Sequence, residues 1–124
     1  MHSPPIYDPA EAITGKATGA ALVGGRLVKV QAAKTDGNPL AVAHCGASDG
    51  PVGAVAHDTA QDDVTPVYTH GHVLPLEAGG TVTAGSKVEV MAAGKVQNLA
   101  SGTKVGVAFT AGGNGDAVLV QLQF

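Results

Sequence analysis

The sequence has no tryptophan, a single cysteine and very few aromatic rings of any kind, with two Tyr and two Phe in 124 residues. Although 44% of the chain is hydrophobic, most of that fraction is Ala and Val. Small side chains bury little area, and each Å² removed from water contributes only about 25 cal/mol. The core is therefore thin, and association with other chains is a natural supplement. The lone Cys45 excludes an intrachain disulfide, which argues against a disulfide-stapled secreted domain and suits a reducing compartment. Charge is sparse as well. Only 14% of residues are charged, the net charge is -3, and the seven basic residues are scattered. That leaves no electrostatic footprint for nucleic acid. No apolar stretch approaches the roughly 20 residues of a membrane helix. The start of the chain, MHSPPIYDPAEAITG, lacks the basic and apolar regions of a secretory signal, so cytosolic synthesis is expected. Helical periodicity is missing throughout.

What is present is a succession of short strands and turns. The densest run, Asp63 to Val96, reads as strand, turn, strand, turn and strand. Val64, Tyr68 and His72 share a face if the first of these ladders runs unbroken, because strand side chains alternate. Pro66 and Pro75 cannot donate to a ladder, so each marks an edge, a bulge or an end. Ala78-Gly79-Gly80, Ala84-Gly85 and Ala93-Gly94 supply turns, and Lys87-Val88-Glu89-Val90 alternates like a half-buried strand. Further strands are expected at Arg26–Val30, Leu40–Ala43 and Val52–Ala56. The pattern predicts one all-β domain, a small β-barrel or β-sandwich.

The chain also repeats itself. Gly25, Val28 and Val30 correspond to Gly85, Val88 and Val90 at an offset of 60, and Val52–Ala56 corresponds to Val105–Phe109 at an offset of 53. Asp63 then matches Asp116. The change of offset puts extra residues between the second and third strands of the first copy. Two related β-units closing on each other are expected. Residues 1–20 differ from the rest. Pro4, Pro5 and Pro9 favour extended backbone, and Ile6, Tyr7 and Ile13 are isolated apolar residues. This stretch reads either as a frayed terminus or as an extended N-terminal arm ahead of a single β domain of residues 21–124, with Ile6, Tyr7 and Ile13 as contacts to another subunit.

Each candidate for chemistry has a simpler structural explanation. His70 and His72 could chelate a metal from one strand face, but a third ligand, His44 or His57, would have to arrive from another strand. No metal site is expected. Cys45 follows His44 directly, and adjacent strand residues point apart, so the pair is a poor nucleophile and base. A buried structural cysteine is expected. Asp62-Asp63 resembles a carboxylate pair, yet Asp116 stands at the matching place in the second copy, which favours a turn. Gly80 to Lys87 misses a phosphate-binding loop because the order is Gly-Ser-Lys and a strand follows. Ala111 to Asp116 reads as a hairpin tip. No catalytic residue and no cofactor are expected.

Several of these segments resemble one family when taken together: Ile13-Thr14-Gly15-Lys16-Ala17, Val52–Ala56, Ala78–Gly85, Ala93–Val96, Val105–Ala108 and Gly115–Val120. In this order they are similar to the small head decoration, or capsid cement, proteins of tailed bacteriophages, most closely those of phages of actinobacteria. The resemblance implies a structural virion protein without enzymatic activity, made in the host cytoplasm and placed on the outer surface of the capsid. Its partners would be the major capsid protein and itself, as homotrimers at three-fold and quasi-three-fold positions. Ile6, Tyr7 and Ile13 become candidate capsid or subunit contacts. The competing expectation is a β-module that binds a small molecule or carbohydrate, against which the scarcity of aromatic stacking platforms counts.

Overall fold

Ten short strands make up the computed structural model, which describes residues 12–47 and 49–124. The first five are β1 (Ile13–Ala17), β2 (Arg26–Val30), β3 (Leu40–His44), β4 (Gly53–Val55) and β5 (Val64–Tyr68). They close into a barrel in the order β1-β3-β2-β4-β5, with β1 returning to β5. The second five are β6 (Val73–Glu77), β7 (Lys87–Val90), β8 (Val96–Asn98), β9 (Lys104–Ala108) and β10 (Ala117–Leu122). They form a sheet in the order β6-β10-β9-β7-β8. The one helical element among the described residues is a 3-10 turn, Ala92–Gly94. The fold is thus all-β and built from two units.

The internal repeat extends to individual pairs. Leu27↔Ala54 and Val55↔Val67 in the first unit become Lys87↔Val107 and Ala108↔Val120 in the second. Val28↔His44 becomes Val88↔Asn98. The bridge Leu22↔Thr59 recurs as Val82↔Gly112, and the parallel pair Ala17↔Val42 recurs as Ala78↔Val96. Gly53 and Gly106 also match. A Cβ on either would run into the carbonyl oxygen of the facing strand, Tyr68 in one unit and Gln121 in the other. The longer loop of the first unit lies between β2 and β3, where the change of offset put it.

Two expectations need correction. Ile13 is not in a free arm. It is 7% exposed in the core of the first barrel, and β1 pairs with both β3 and β5. The inward positions of β1 are Ile13, Gly15 and Ala17, and two such small residues hide the alternation. Ile6 and Tyr7 lie outside the described residues. The row Val64, Tyr68, His72 is also broken, because Gly71 adopts φ 94 and turns the chain between β5 and β6. The prolines behave as expected. Pro66 stands one step beyond the last pair between β4 and β5, and Pro75 sits on β6, which among the described residues has β10 as its one strand partner.

The two units are joined by an unequal seam. In the first barrel β1 and β3 are held by a run of parallel pairs, but β8 is short and reaches β6 through the single bridge Ala78↔Val96. Strand β2 of the first unit lies along this gap. The Glu77 N–H donates to the Gly25 carbonyl at 2.7 Å, and Gly94 sits against the backbone of Leu27. Successive residues of β2 then serve different cores. Val28 points into the first barrel, while Leu27, with Cys45 and Ala54, is buried among Leu76, Val96 and Leu122 of the second unit.

Candidate functional site

Most residues of chemical interest are held in structural roles. His70 is exposed in the turn after β5, and the ring of His72 meets Tyr68 edge-on with centroids 5.2 Å apart. Among the described residues no three His, Cys, Asp or Glu side chains gather where a metal could be held. Cys45 is buried, and burial, with the Asp49 charge acting in the same sense, pushes its thiol up to about 12. Asp62 has φ 71 and matches Gly115 at φ 90 in the second unit, so the Asp62-Asp63 pair is a turn. Gly85 has φ 83, matching Gly25 at φ 81, and the near phosphate loop is the bend into β7. No helix among the described residues is long and apolar enough to cross a membrane.

His44 has a structural role that sequence reasoning missed. Its Nε2 accepts the Val23 N–H at 3.0 Å, and in the second unit Asn98 Oδ1 accepts the Thr83 N–H at 2.9 Å from the matching place. The two side chains pin equivalent segments, and only one of them titrates. His44 Nδ1 is buried and leans toward the Leu27 carbonyl without hydrogen-bonding geometry. Burial, then the nearby Arg26 charge, hold the imidazole below its ordinary range. The folded chain therefore binds a proton here less readily than the unfolded chain. Stability from this group is complete above about pH 6.5 and is lost as pH falls toward the lowered value. We expect the melting midpoint to fall between pH 7 and 5. His44→Asn, which installs the Asn98 arrangement, should flatten that decline while the chain stays folded at neutral pH. An unchanged pH profile in the variant would count against the assignment.

Charge and exposed apolar surface mark the places left for contact. Glu77 lies between Arg26 and Lys95, each ion pair measuring 3.2 Å. Burial opposes its ionisation, but the hydrogen bonds from Lys95 and Arg26 outweigh that and hold its carboxyl below the usual range. A groove of about 440 Å³ runs along this seam, lined by Gly24, Gly25, Ala56, Pro75, Leu76 and Glu77. Beside it, the outer face of the second unit carries Val73 at 45%, Phe109 at 52% and Leu119 at 39% exposure, with Pro75 also exposed. These residues are neighbours across β6, β10 and β9. Leu119 pairs with Pro75, and its carbonyl accepts the Phe109 N–H at 2.7 Å.

The chain is a member of the phage cement protein family, whose model matches residues 7–122. Membership makes it a structural protein of the virion, located on the outer surface of a phage capsid. No curated protein matches the chain. Among solved structures it is similar to the N base of the head fibre gp8.5 of bacteriophage phi29, with a TM-score of 0.73 at 16% identity, covering 90% of this chain and 92% of that one. That likeness concerns the fold.

Proposed function

We propose that this protein decorates and stabilises the outside of a phage head by binding the major capsid protein, as homotrimers at three-fold and quasi-three-fold positions. The observation that carries the reading is the match of the cement family across nearly the whole chain. The thin Ala and Val core and the uncovered apolar face support it, since both favour association. Actinobacteria as the host group is part of the same proposal. Light scattering at micromolar concentration should give a mass near three times the 12.2 kDa chain, and a monomer at all concentrations would remove the trimer.

The N-terminal segment belongs to this reading as a second contact. Because β1 begins at Ile13, a chain starting at Ala12 keeps every strand of the described residues. We expect that truncation to melt within a few degrees of the full chain and to co-sediment more weakly with undecorated heads. Burying Ile6 and Tyr7 would contribute a few kcal/mol per arm at about 25 cal/mol per Å². Ordering the segment offsets part of this, at roughly 1 kcal/mol or more per residue. Three arms acting together turn a small remainder into a measurable one. Undiminished binding by the truncated chain would sink the arm as a contact.

A further inference from the structure

The repeat provides an internal control for the uncovered face. On the first unit, Leu27, Ala54 and Tyr68 form a row across β2, β4 and β5 that packs into the core of the second unit. The matching row on the second unit is Lys87, Val107 and Gln121, with Lys87 exposed and the other two half-buried. The next row is exposed on both units. Phe109, Leu119 and Pro75 stand where the first unit has Ala56, Pro66 and Thr14. The fold tolerates small or polar residues at these places, so large exposed apolar side chains there are not explained by folding. The face that one unit uses to grip its neighbour is open on the other.

We propose that this face of the second unit, centred on Phe109 and Leu119, seats on an apolar, carboxylate-bearing patch of the coat protein. The inference rests on the capsid reading above and names the surface through which it works. A second copy repeating the internal seam does not fit. The slot that Leu27 enters exists because β6 and β8 share only one bridge, whereas β1 and β3 close the same place on the first unit. Leu27 is also replaced by Lys87, whose charge would be buried by the same insertion. The charges around the face select the partner. Glu77 is neutralised by Arg26 and Lys95, and Glu89 is tied to Gln97 at 2.8 Å and to the Gly102 N–H at 2.6 Å. Lys87 and Lys104 remain without an ion pair among the described residues, and these two cations ask for carboxylates opposite.

The test is co-sedimentation of full-length protein with heads that lack it, at several salt concentrations. Phe109→Asp should weaken binding about tenfold or more, as expected for the aromatic centre of an interface. Lys87→Glu with Lys104→Glu should weaken it at low salt and flatten its salt dependence. Pro66→Asp, the change on the first unit at the place matched by Leu119, should leave binding within about twofold, taking tenfold as the effect of a central contact. Circular dichroism melts report whether each variant is folded, and Leu119→Ser provides a second probe of the face if Phe109→Asp is unstable. Unchanged binding by folded Phe109→Asp and Leu119→Ser overturns the inference alone. So does dissociation of a wild-type oligomer by Phe109→Asp, which would show that a second copy covers the face. Failure of the wild-type chain to bind heads overturns the capsid reading and the face together.

Discussion

Leu27→Ala should lower the unfolding free energy by about 3–4 kcal/mol, the range for a fully buried leucine whose cavity cannot collapse. The residue is 0% exposed, and its side chain belongs to the core of the unit it is not part of. At this chain length the loss corresponds to roughly 10–15 °C in melting midpoint. The distinctive expectation is that both units melt together and earlier, in one transition. If the seam were incidental, the first barrel would keep its wild-type midpoint and only the second would shift. Hydrogen exchange resolved by strand separates these outcomes, with β3 and β9 as reporters of the two units.

Gly94→Ala should do comparable damage by the opposite route, wedging the seam instead of emptying it. Gly94 has φ 75, where an alanine costs about 1–2 kcal/mol for the left-handed backbone alone. Its Cβ would in addition overlap the Leu27 carbonyl, lie 3.0 Å from the Leu27 nitrogen and 3.2 Å from Arg26 Cβ. Backbone cannot rotate away as a side chain can, so β2 must shift and carry Leu27 with it. Gly85→Ala isolates the two contributions, since Gly85 has φ 83 and nothing within 4 Å of its added Cβ. We expect Gly85→Ala to cost about 1–2 kcal/mol and Gly94→Ala at least about twice that. Equal losses in thermal or urea melts would show that the close approach at the seam is not tight.

The repeat was legible because Gly and Val recur in fixed order, and the turns that set the register, at Gly25 and Gly85, need the same positive φ. Strand β1 was not legible, since Gly15 and Ala17 face inward without raising the apolar pattern. The seam was hidden for a different reason. Leu27 and Val28 are adjacent apolar residues, and nothing in their order reveals that each belongs to a different core. His44 and Asn98 share a role but not a chemistry, so alignment by residue type passes over them. The face around Phe109 was equally silent. In a strand, Val107-Ala108-Phe109 reads as core, and only the placement of the second unit shows which side is left open. Carboxylates and histidines drew attention as possible chemistry, yet the turn at Gly71 separates His70 from His72, and Asp62 is a backbone position.

The strand order of the second unit also bears on how the chain comes off the ribosome. Its last strand in the chain, β10, lies inside the sheet, flanked by β6 on one side and β9 on the other. Until β10 emerges, β6 has no strand partner, and Leu74, Leu76 and Val105 stay uncovered. The first barrel, by contrast, is complete once Tyr68 is out, and it already displays Leu27, Cys45 and Ala54 on its surface. Synthesis therefore sets an order: a finished template waits with a sticky side for the nascent half to wrap against it. Slowing translation between β9 and β10 would lengthen the interval in which two half-covered apolar surfaces stay exposed.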